Sequence, residues 1–363
     1  MIIFCMKTIS SMLLIILLSF SYSAYALEYK VTLNSKLLYV ENKQVKARIF
    51  QISPNVRFFE PFSNKLSANL DVSFPMEIGS NNSSLGISEY QPNQRVFLNH
   101  GVLNFKPISF INLSVGAINQ DWLKSPLLIS DTAFAGFKTT INLENRFYFH
   151  LQQLIPNNDQ LEAKLNSSSQ GTPLFFSETI GFENQSSKLF TRLELTHFSF
   201  HKLSSDIANS SALLGNSVNG LATLSEFTYK FQGWNLYSLL EHQLKKGHSL
   251  RLKGHFIHNN KASNKRSQAF LYQLAFKFRS QLYAGIEFFK SESDSSVAFY
   301  NDKRYGHNNF KGHGLIFGQE SDKDSKSKLT YEFRILKRNI ISNSIYQSDS
   351  VDSTFNVSYP VKI

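Results

Sequence analysis

The sequence has one cysteine and, beyond its N-terminal segment, no long apolar run. Cys5 precedes the apolar part of that segment, so the rest of the chain has no thiol to form a disulfide or to bind a metal. A membrane helix needs roughly 20 consecutive apolar residues. The mean hydropathy is only −0.22. Cysteine-based chemistry and a helical membrane protein are therefore excluded by the sequence after residue 26.

Acidic residues are also under-represented, with 27 Asp and Glu against 38 Lys and Arg, which gives a net charge of +11. A positive total can indicate nucleic-acid binding, but the basic residues are spread along the chain and form no compact patch. We therefore expect no nucleic-acid partner.

Motifs for cofactor chemistry are missing as well. No Gly-rich phosphate loop, His-Glu-x-x-His pair or nucleophile elbow occurs. The histidines lack metal-ligand spacing, and His255 and His258 would point to opposite faces of a strand. We expect no metal, no cofactor and no enzymatic activity.

The N-terminus has the features of a secretory signal peptide. Lys7 is followed by an apolar core over residues 12–20 and then by Ala24-Tyr25-Ala26, a small-x-small cleavage site. The apolar core is too short for a confident membrane helix. The sequence thus predicts a signal peptide over residues 1–26 and a mature chain beginning at Leu27.

The C-terminal residues 353–363 alternate strictly between apolar and polar side chains, which is the pattern of a strand with one apolar face. Thr354, Asn356, Ser358 and Lys362 form the polar face. The apolar face consists of Phe355, Val357, Tyr359, Val361 and Ile363.

The same alternation recurs along the chain, as in residues 66–74 and in the hairpin of residues 137–152. Phenylalanine and tyrosine are abundant, at 33 and 15 residues, and aromatic residues favour strands. Long polar connections alternate with short turns, and no helical periodicity intervenes. These features indicate an all-β chain with no linker that would divide it into domains.

The terminal strand resembles the C-terminal strand of Gram-negative outer-membrane β-barrels, and the alternation of long loops with short turns is typical of the same class. Two departures are Ile363, where that family usually ends in Phe or Trp, and Pro360, which cannot donate a strand hydrogen bond. The resemblance implies a transmembrane antiparallel barrel over residues 27–363. It also implies a closing contact between residues 353–363 and a first strand near residues 29–40.

Counting the alternating segments predicts about 16 strands, within a range of roughly 14–18. One hairpin is expected to turn near Gly233. Between residues 234 and 309 the sequence leaves open which connections lie at the outer end of the barrel, because the tight turn at residues 245–247 is hard to place there. The resemblance places the protein in the outer membrane, among outer-membrane lipid and lipopolysaccharide. The resemblance also implies recognition by the barrel-assembly machinery. Because general porins are trimers, it suggests a homotrimer.

A barrel of this size cannot fill its interior with wall side chains alone, so we expect a water-filled channel. The function predicted is that of a porin, for passive diffusion of small hydrophilic solutes. Basic residues outnumber acidic ones on the predicted inner face, which favours anions. The channel-lining candidates are Lys138, Arg146, Arg192, Glu194, Glu226, Lys230, Arg251, Lys253, Lys277, Glu287, Glu332 and Arg334.

One loop interrupts the strand pattern and is a candidate for narrowing the channel. Residues 119–131 form the third outer loop by this count, and general porins fold that loop inward. The constriction candidates are Asp121, Lys124 and Asp131, with Trp122 as a packing anchor. Two alternatives stay open: a secreted or surface-exposed β-rich binding protein without a pore, and an outer-membrane barrel hydrolase.

Overall fold

A computed structural model describes residues 28–83, 94, 96–143, 146–156, 171–221, 224–320 and 329–361. The predicted signal peptide and Ile363, the last residue of the predicted assembly signal, lie outside these ranges. Among the described residues, no helix is both long and apolar enough to cross a membrane.

The described chain is dominated by strands that follow one another in antiparallel order. Their bounds are β1 Glu28–Asn42, β2 Val45–Pro61, β3 Leu66–Ser73, β4 Met76–Ser83, β5 Phe97–Ile108, β6 Ile111–Asn119, β7 Ala133–Leu143, β8 Phe147–Ile155, β9 Leu174–Gln185, β10 Leu189–His201, β11 Val218–Asn219, β12 Glu226–Phe227, β13 Phe231–Gln243, β14 Ser249–Asn259, β15 Gln268–Lys277, β16 Leu282–Ser291, β17 Phe310–Gln319, β18 Thr330–Ile340 and β19 Ser350–Val361. One short helix, α1, spans Ser205–Leu213.

The sheet closes into a barrel because β19 pairs with β1 over a long register, from Val31 opposite Val361 to Asn42 opposite Ser350. The predicted seam between the terminal and first strands is confirmed. β3 and β4 act as one wall strand, since β2 pairs with both and they are separated only by Phe74 and Pro75. Proline has no N–H to donate to the ladder. The barrel thus has 16 wall strands, as predicted.

Alternation along the strands separates an apolar exterior from a more polar interior. On β10, Leu193 is 43% exposed on the outside, whereas the Arg192 side chain points inward and is 23% exposed. Exposed apolar residues such as Leu37, Phe137 and Leu252 continue this exterior around the wall. An outward apolar band with a polar lumen is the arrangement that lipid requires of a membrane barrel.

The two ends of the barrel differ in the length of their connections. Short turns predominate at the end of the barrel where β1 begins and β19 ends, and they include the turn at residues 244–248 between β13 and β14. The opposite end carries the longer loops, among them 120–132, 202–230 and 292–309. These are called the turn end and the loop end below. The structure resolves which end the connections between residues 234 and 309 lie at, because residues 245–247 lie at the turn end.

The predicted hairpin turn near Gly233 is wrong. Gly233 lies inside β13, and a Cβ at this position would lie 1.8 Å from the carbonyl oxygen of His258 on β14. The glycine therefore permits close approach of two strands and does not mark a turn. The chain before β13 is a single long loop that contains α1 and the β11–β12 hairpin.

The sequence predicts a polar, water-filled interior, but the interior is not polar throughout. Towards the loop end, an apolar core fills part of the lumen. Leu123, Leu127 and Leu128, from the loop 120–132, are fully buried against wall residues such as Phe134 and Phe175. Inward-folded loops thus supply the volume that wall side chains cannot fill in a barrel of this size.

Candidate channel constriction

The loop of residues 120–132 is held closed by its own polar groups and folds into the barrel. Its ends meet where the backbone N–H of Gln120 donates to the carbonyl of Thr132, at 2.8 Å. The backbone N–H of Asp131 donates to the Asp121 carboxylate at 2.8 Å. Asp121 itself begins a single 3-10 turn, Asp121–Leu123. Leu123, Leu127 and Leu128 of this loop are buried against residues of the wall.

A second loop, residues 292–309, packs against the first inside the lumen. The Ser130 N–H donates to the carbonyl of Tyr300 at 2.8 Å, and the Asp302 N–H donates to the carbonyl of Pro126 at 2.9 Å. The Ser296 hydroxyl donates to the carbonyl of Leu127 at 2.7 Å. These hydrogen bonds join residues 120–132 and 292–309 into one unit, called the inner loop pair.

Three spaces follow one another beside this pair, along the wall formed by β1, β18 and β19. A cavity of about 660 Å³ at the loop end is lined by Asn42, Asp131 and Arg338 among others. A cavity of about 530 Å³ at the turn end is lined by Asn34, Lys36 and Glu332 among others. Between them lies a space of only about 10 Å³. The lining positions advance in order along β1 and β18, so the spaces are successive along the barrel axis.

The smallest space, called the narrow passage, is strongly basic. Its lining residues are Lys36, Leu38, Lys303, Arg304, Arg334, Leu336, Asp352 and Thr354. Lys36 also lines the turn-end cavity and Lys303 the loop-end cavity, so these two lysines mark its two mouths. A volume near 10 Å³ is about what one water molecule needs.

The carboxylates at the passage are engaged by arginines. Asp352 forms an ion pair with Arg338. Asp302, next to the passage, accepts hydrogen bonds from the Nε of Arg304 at 2.6 Å and from the Arg304 backbone N–H at 2.8 Å. Burial alone would raise the pKa of Asp302, but the charge and hydrogen bonds of Arg304 outweigh it and lower the pKa to about 2.

Arg334 is fixed by a network that links the wall to the second inner loop. Its guanidinium donates to the Tyr305 hydroxyl at 2.9 Å and to Glu332 at 3.0 Å, and lies 3.4 Å from Glu287. Lys36, by contrast, has no ion pair within the described part of the chain. The passage therefore combines two arginines held in place with a lysine that has no carboxylate of its own.

Most of the predicted channel-lining residues do face the lumen. Arg192 pairs with Glu194 at 2.5 Å, and at the turn end Arg251 and Lys277 both contact Glu320, at 2.5 and 2.9 Å. Residues on inward positions of the wall are Lys138, Arg192, Glu194, Arg251, Lys253, Lys277, Glu287, Glu332 and Arg334.

Three of the predicted lining residues lie elsewhere. Arg146 is exposed in the turn between β7 and β8, Glu226 is exposed on the short β11–β12 hairpin, and Lys230 is exposed just before β13. Glu226 and Lys230 were predicted to lie on wall strands, but both belong to the long loop that precedes β13.

The constriction candidates are also redistributed. Asp131 lines the loop-end cavity, whereas Asp121 and Lys124 are exposed and line none of the three spaces. Trp122 packs against the apolar core, with His150 at 4.7 Å between ring centroids and the Lys138 ammonium 3.5 Å over its ring. The charged residues that line the narrow passage come from β1, β18, β19 and the second loop.

On the closing strand, the predicted apolar face turns outward. Tyr359 is 50% and Val361 36% exposed on the exterior, and Phe355 and Val357 share that face. This is the arrangement expected of a lipid-facing strand.

No protein-family profile and no curated protein sequence matches this chain. Solved structures do resemble it. OprB of Pseudomonas putida, in a high-pH structure, has a TM-score of 0.63 at 12% identity, over 93% of this chain and 94% of that chain. A loop-deletion mutant of OmpT, an outer membrane protein of Vibrio cholerae, has a TM-score of 0.52 at 11% identity, over 93% of this chain and 100% of that chain.

OccK7 of Pseudomonas aeruginosa gives a TM-score of 0.52 at 11% identity over 94% of this chain and 99% of that chain. Likeness at such low identity concerns the fold. The closed barrel of 16 wall strands is therefore the porin-like fold that these neighbours share.

Proposed function

We propose that the protein is a porin that conducts small hydrophilic solutes by passive diffusion and prefers anions. The observation that supports the proposal is the basic narrow passage between the two larger cavities, lined by Lys36, Lys303, Arg304 and Arg334.

The succession of spaces supports a route through the barrel. The loop-end cavity, the narrow passage and the turn-end cavity lie in order along β1 and β18, with Lys303 shared by the first two and Lys36 by the last two. Because only a water-sized space lies between the two cavities, a solute larger than water would have to displace side chains of the passage. Small solutes and low conductance are the expected consequence.

The charge at the passage supplies the anion preference. Rings of charged side chains select by sign, and the effect is strongest where the route is narrow and has low-dielectric walls. Asp352 and the neighbouring Asp302 are each paired with an arginine. Lys36 is not paired in the described chain, so the field in the passage stays positive.

Reconstitution into planar bilayers tests the channel. Purified protein that migrates differently on gels before and after boiling, as folded barrels often do, should give stepwise conductance. Folded protein that gives no steps would favour the pore-less binding protein. Hydrolysis of peptide or ester substrates by the same preparation would favour the barrel hydrolase.

A further inference from the structure

A band of polar side chains crosses the inner wall where the loop of residues 120–132 covers it. The band runs over five neighbouring strands, β8, β9, β10, β13 and β14. Its members are Gln152, Ser177, Thr196, Asn235 and His255, and each is at most 1% exposed. Gln152 is the cross-strand partner of Ser177, and Thr196 is the partner of Asn235. These five residues are called the polar belt.

The loop satisfies only part of the hydrogen-bonding capacity of the belt. The Ser125 hydroxyl donates to Oδ1 of Asn235 at 2.7 Å, and Nε2 of Gln152 donates to Oε1 of Gln120 at 2.9 Å. Within the described chain, the buried polar atoms that keep no hydrogen-bond partner are Oε1 of Gln152, Oγ of Ser177, Nδ2 of Asn235 and both ring nitrogens of His255. Burying such atoms without a partner is costly, and native structures nearly always pair them with protein or water.

The wall next to the belt has the opposite character. The next inward positions towards the loop end on β8, β9 and β10 are Leu154, Phe175 and Phe198, which are fully buried in the apolar core with the leucines of the loop. Apolar side chains are what a permanently covered surface normally carries. The belt is therefore a covered surface whose side chains suit contact with water.

The two inner loops are held differently. The second loop, residues 292–309, is anchored to the wall through the Ser291 hydroxyl, which donates to Asn308 at 2.7 Å, and through Arg334, which donates to Tyr305 at 2.9 Å. In residues 120–132, Lys124 and Asp131 adopt left-handed backbone with φ of 53° and 51°, a conformation that disfavours residues other than glycine. Residues 120–132 are thus the strained part of the inner loop pair.

We propose that the loop of residues 120–132 is a displaceable plug and that the polar belt is the wall of a second, wider route, which conducts when the loop lifts from it. Water then supplies the missing hydrogen-bond partners of the belt, which offsets the apolar contacts that the loop gives up. Amide, hydroxyl and imidazole groups line this route, so it discriminates less between anions and cations than the basic narrow passage. The inference rests on the proposed channel.

Planar-bilayer recordings of a variant that can be locked test the plug. Cys5 is the only native cysteine and precedes the predicted cleavage site, so Ser125→Cys/Asn235→Cys supplies the only thiol pair. A short bis-methanethiosulfonate reagent joins the loop to the belt, and dithiothreitol releases it. The released variant should show rare steps at least about threefold larger than the main steps, because the second route is not limited to a water-sized space. The joined variant should show only the main steps.

The matched control joins the same two wall strands without touching the loop. Leu193 on β10 and Ser238 on β13 are cross-strand partners on the outer face. Leu193→Cys/Ser238→Cys should therefore keep the rare large steps after the reagent has joined the two residues.

Thiol accessibility tests the same movement without any current. Ser177 and Ser291 are both fully buried wall serines, but Ser291 is covered by the anchored second loop. Ser177→Cys in the folded barrel should react with a charged methanethiosulfonate at least about tenfold faster than Ser291→Cys, because local opening exposes only the belt. Mass spectrometry measures both rates.

Three results would overturn the proposal: equal reaction rates for the two serine variants, large steps that persist in the joined Ser125→Cys/Asn235→Cys variant, or loss of the large steps in the joined control. If folded protein gives no steps at all, the proposed channel fails, but the two reaction rates still decide whether the loop lifts. A failure of the plug is thereby distinguishable from a failure of the channel.

Discussion

Asp302 holds Arg304 at the narrow passage: its carboxylate accepts from the Arg304 Nε at 2.6 Å and from the Arg304 backbone N–H at 2.8 Å. The Asp302 backbone N–H in turn donates to Pro126, which ties the same residue to the first inner loop. One aspartate thereby fixes both the position of a passage arginine and the contact between the two loops.

Replacing Asp302 with Ala should release Arg304. A hydrogen bond to a charged group contributes about 1.5–3 kcal/mol. Arg304 is 31% exposed, so solvent screening reduces the expected loss in the free energy of unfolding to about 1 kcal/mol. Single-channel current noise should increase because the guanidinium becomes mobile in the passage. Asp302→Asn keeps an acceptor oxygen, so its current noise should lie between that of the wild type and that of Asp302→Ala. Equally low current noise from all three proteins would contradict the role of Asp302 in holding Arg304.

The same pair predicts a pH dependence. The pKa of Asp302 is about 2 in the folded protein, below the value of about 3.9 in an unfolded chain. Its charge therefore stabilises the fold above about pH 4, and this stabilisation is lost as the pH falls through about 2. The difference in unfolding free energy between wild type and Asp302→Asn should be constant from pH 7 to about 5, shrink below about pH 4 and vanish only below about pH 2. A difference that already disappears at pH 5 would show that the carboxylate is not held by Arg304.

Neighbouring residues on β1 test the register of the wall. Lys36 lines the passage, whereas Leu37 faces outward and is 51% exposed. Leu37→Glu places a charge in the lipid-facing band and should cost about 2 kcal/mol and reduce insertion. Lys36→Glu should fold normally and change ion selectivity. Folding yield after reconstitution measures the first effect; equal yields for the two variants would contradict the register.

Removing residues 357–363 tests the closing seam. The deletion takes away the β19 residues that pair with Val31 to Ser35 on β1. It should prevent assembly, because an unpaired strand edge in lipid leaves backbone hydrogen-bonding groups unsatisfied. Cells expressing the truncated chain should contain no folded barrel, detected as a form whose migration on a gel changes on boiling. Normal amounts of folded protein with altered conductance would show that the seam is dispensable for assembly.

Much of the fold could be predicted from the sequence, because a strand records its own two faces in alternate residues. Leu193 beside Arg192 is such a case, as is the closing strand with Tyr359 and Val361 outward. The turn near Gly233 was wrongly predicted because a glycine that allows close strand approach looks the same in sequence as a glycine in a turn.

The constriction could not be predicted in the same way. Lys36 and Arg304 are brought together only when the barrel closes and the second loop folds inward, and no local pattern encodes either event. Glu226 and Lys230 failed as lining residues for a related reason, since alternation over a few residues cannot distinguish a wall strand from a hairpin in a loop. The basic character of residues 303–304 was the one signal available in the sequence.

The reversal potential in a salt gradient across a planar bilayer tests the central claim most directly. In the wild-type channel the reversal potential should shift toward the equilibrium potential of the anion. Lys36→Glu should reduce or invert that shift. Lys188→Glu, which makes the same charge change in a turn outside the lumen, should leave it unchanged. A cation-selective wild type, or a Lys36→Glu channel with wild-type selectivity, would contradict a basic narrow passage that governs conduction.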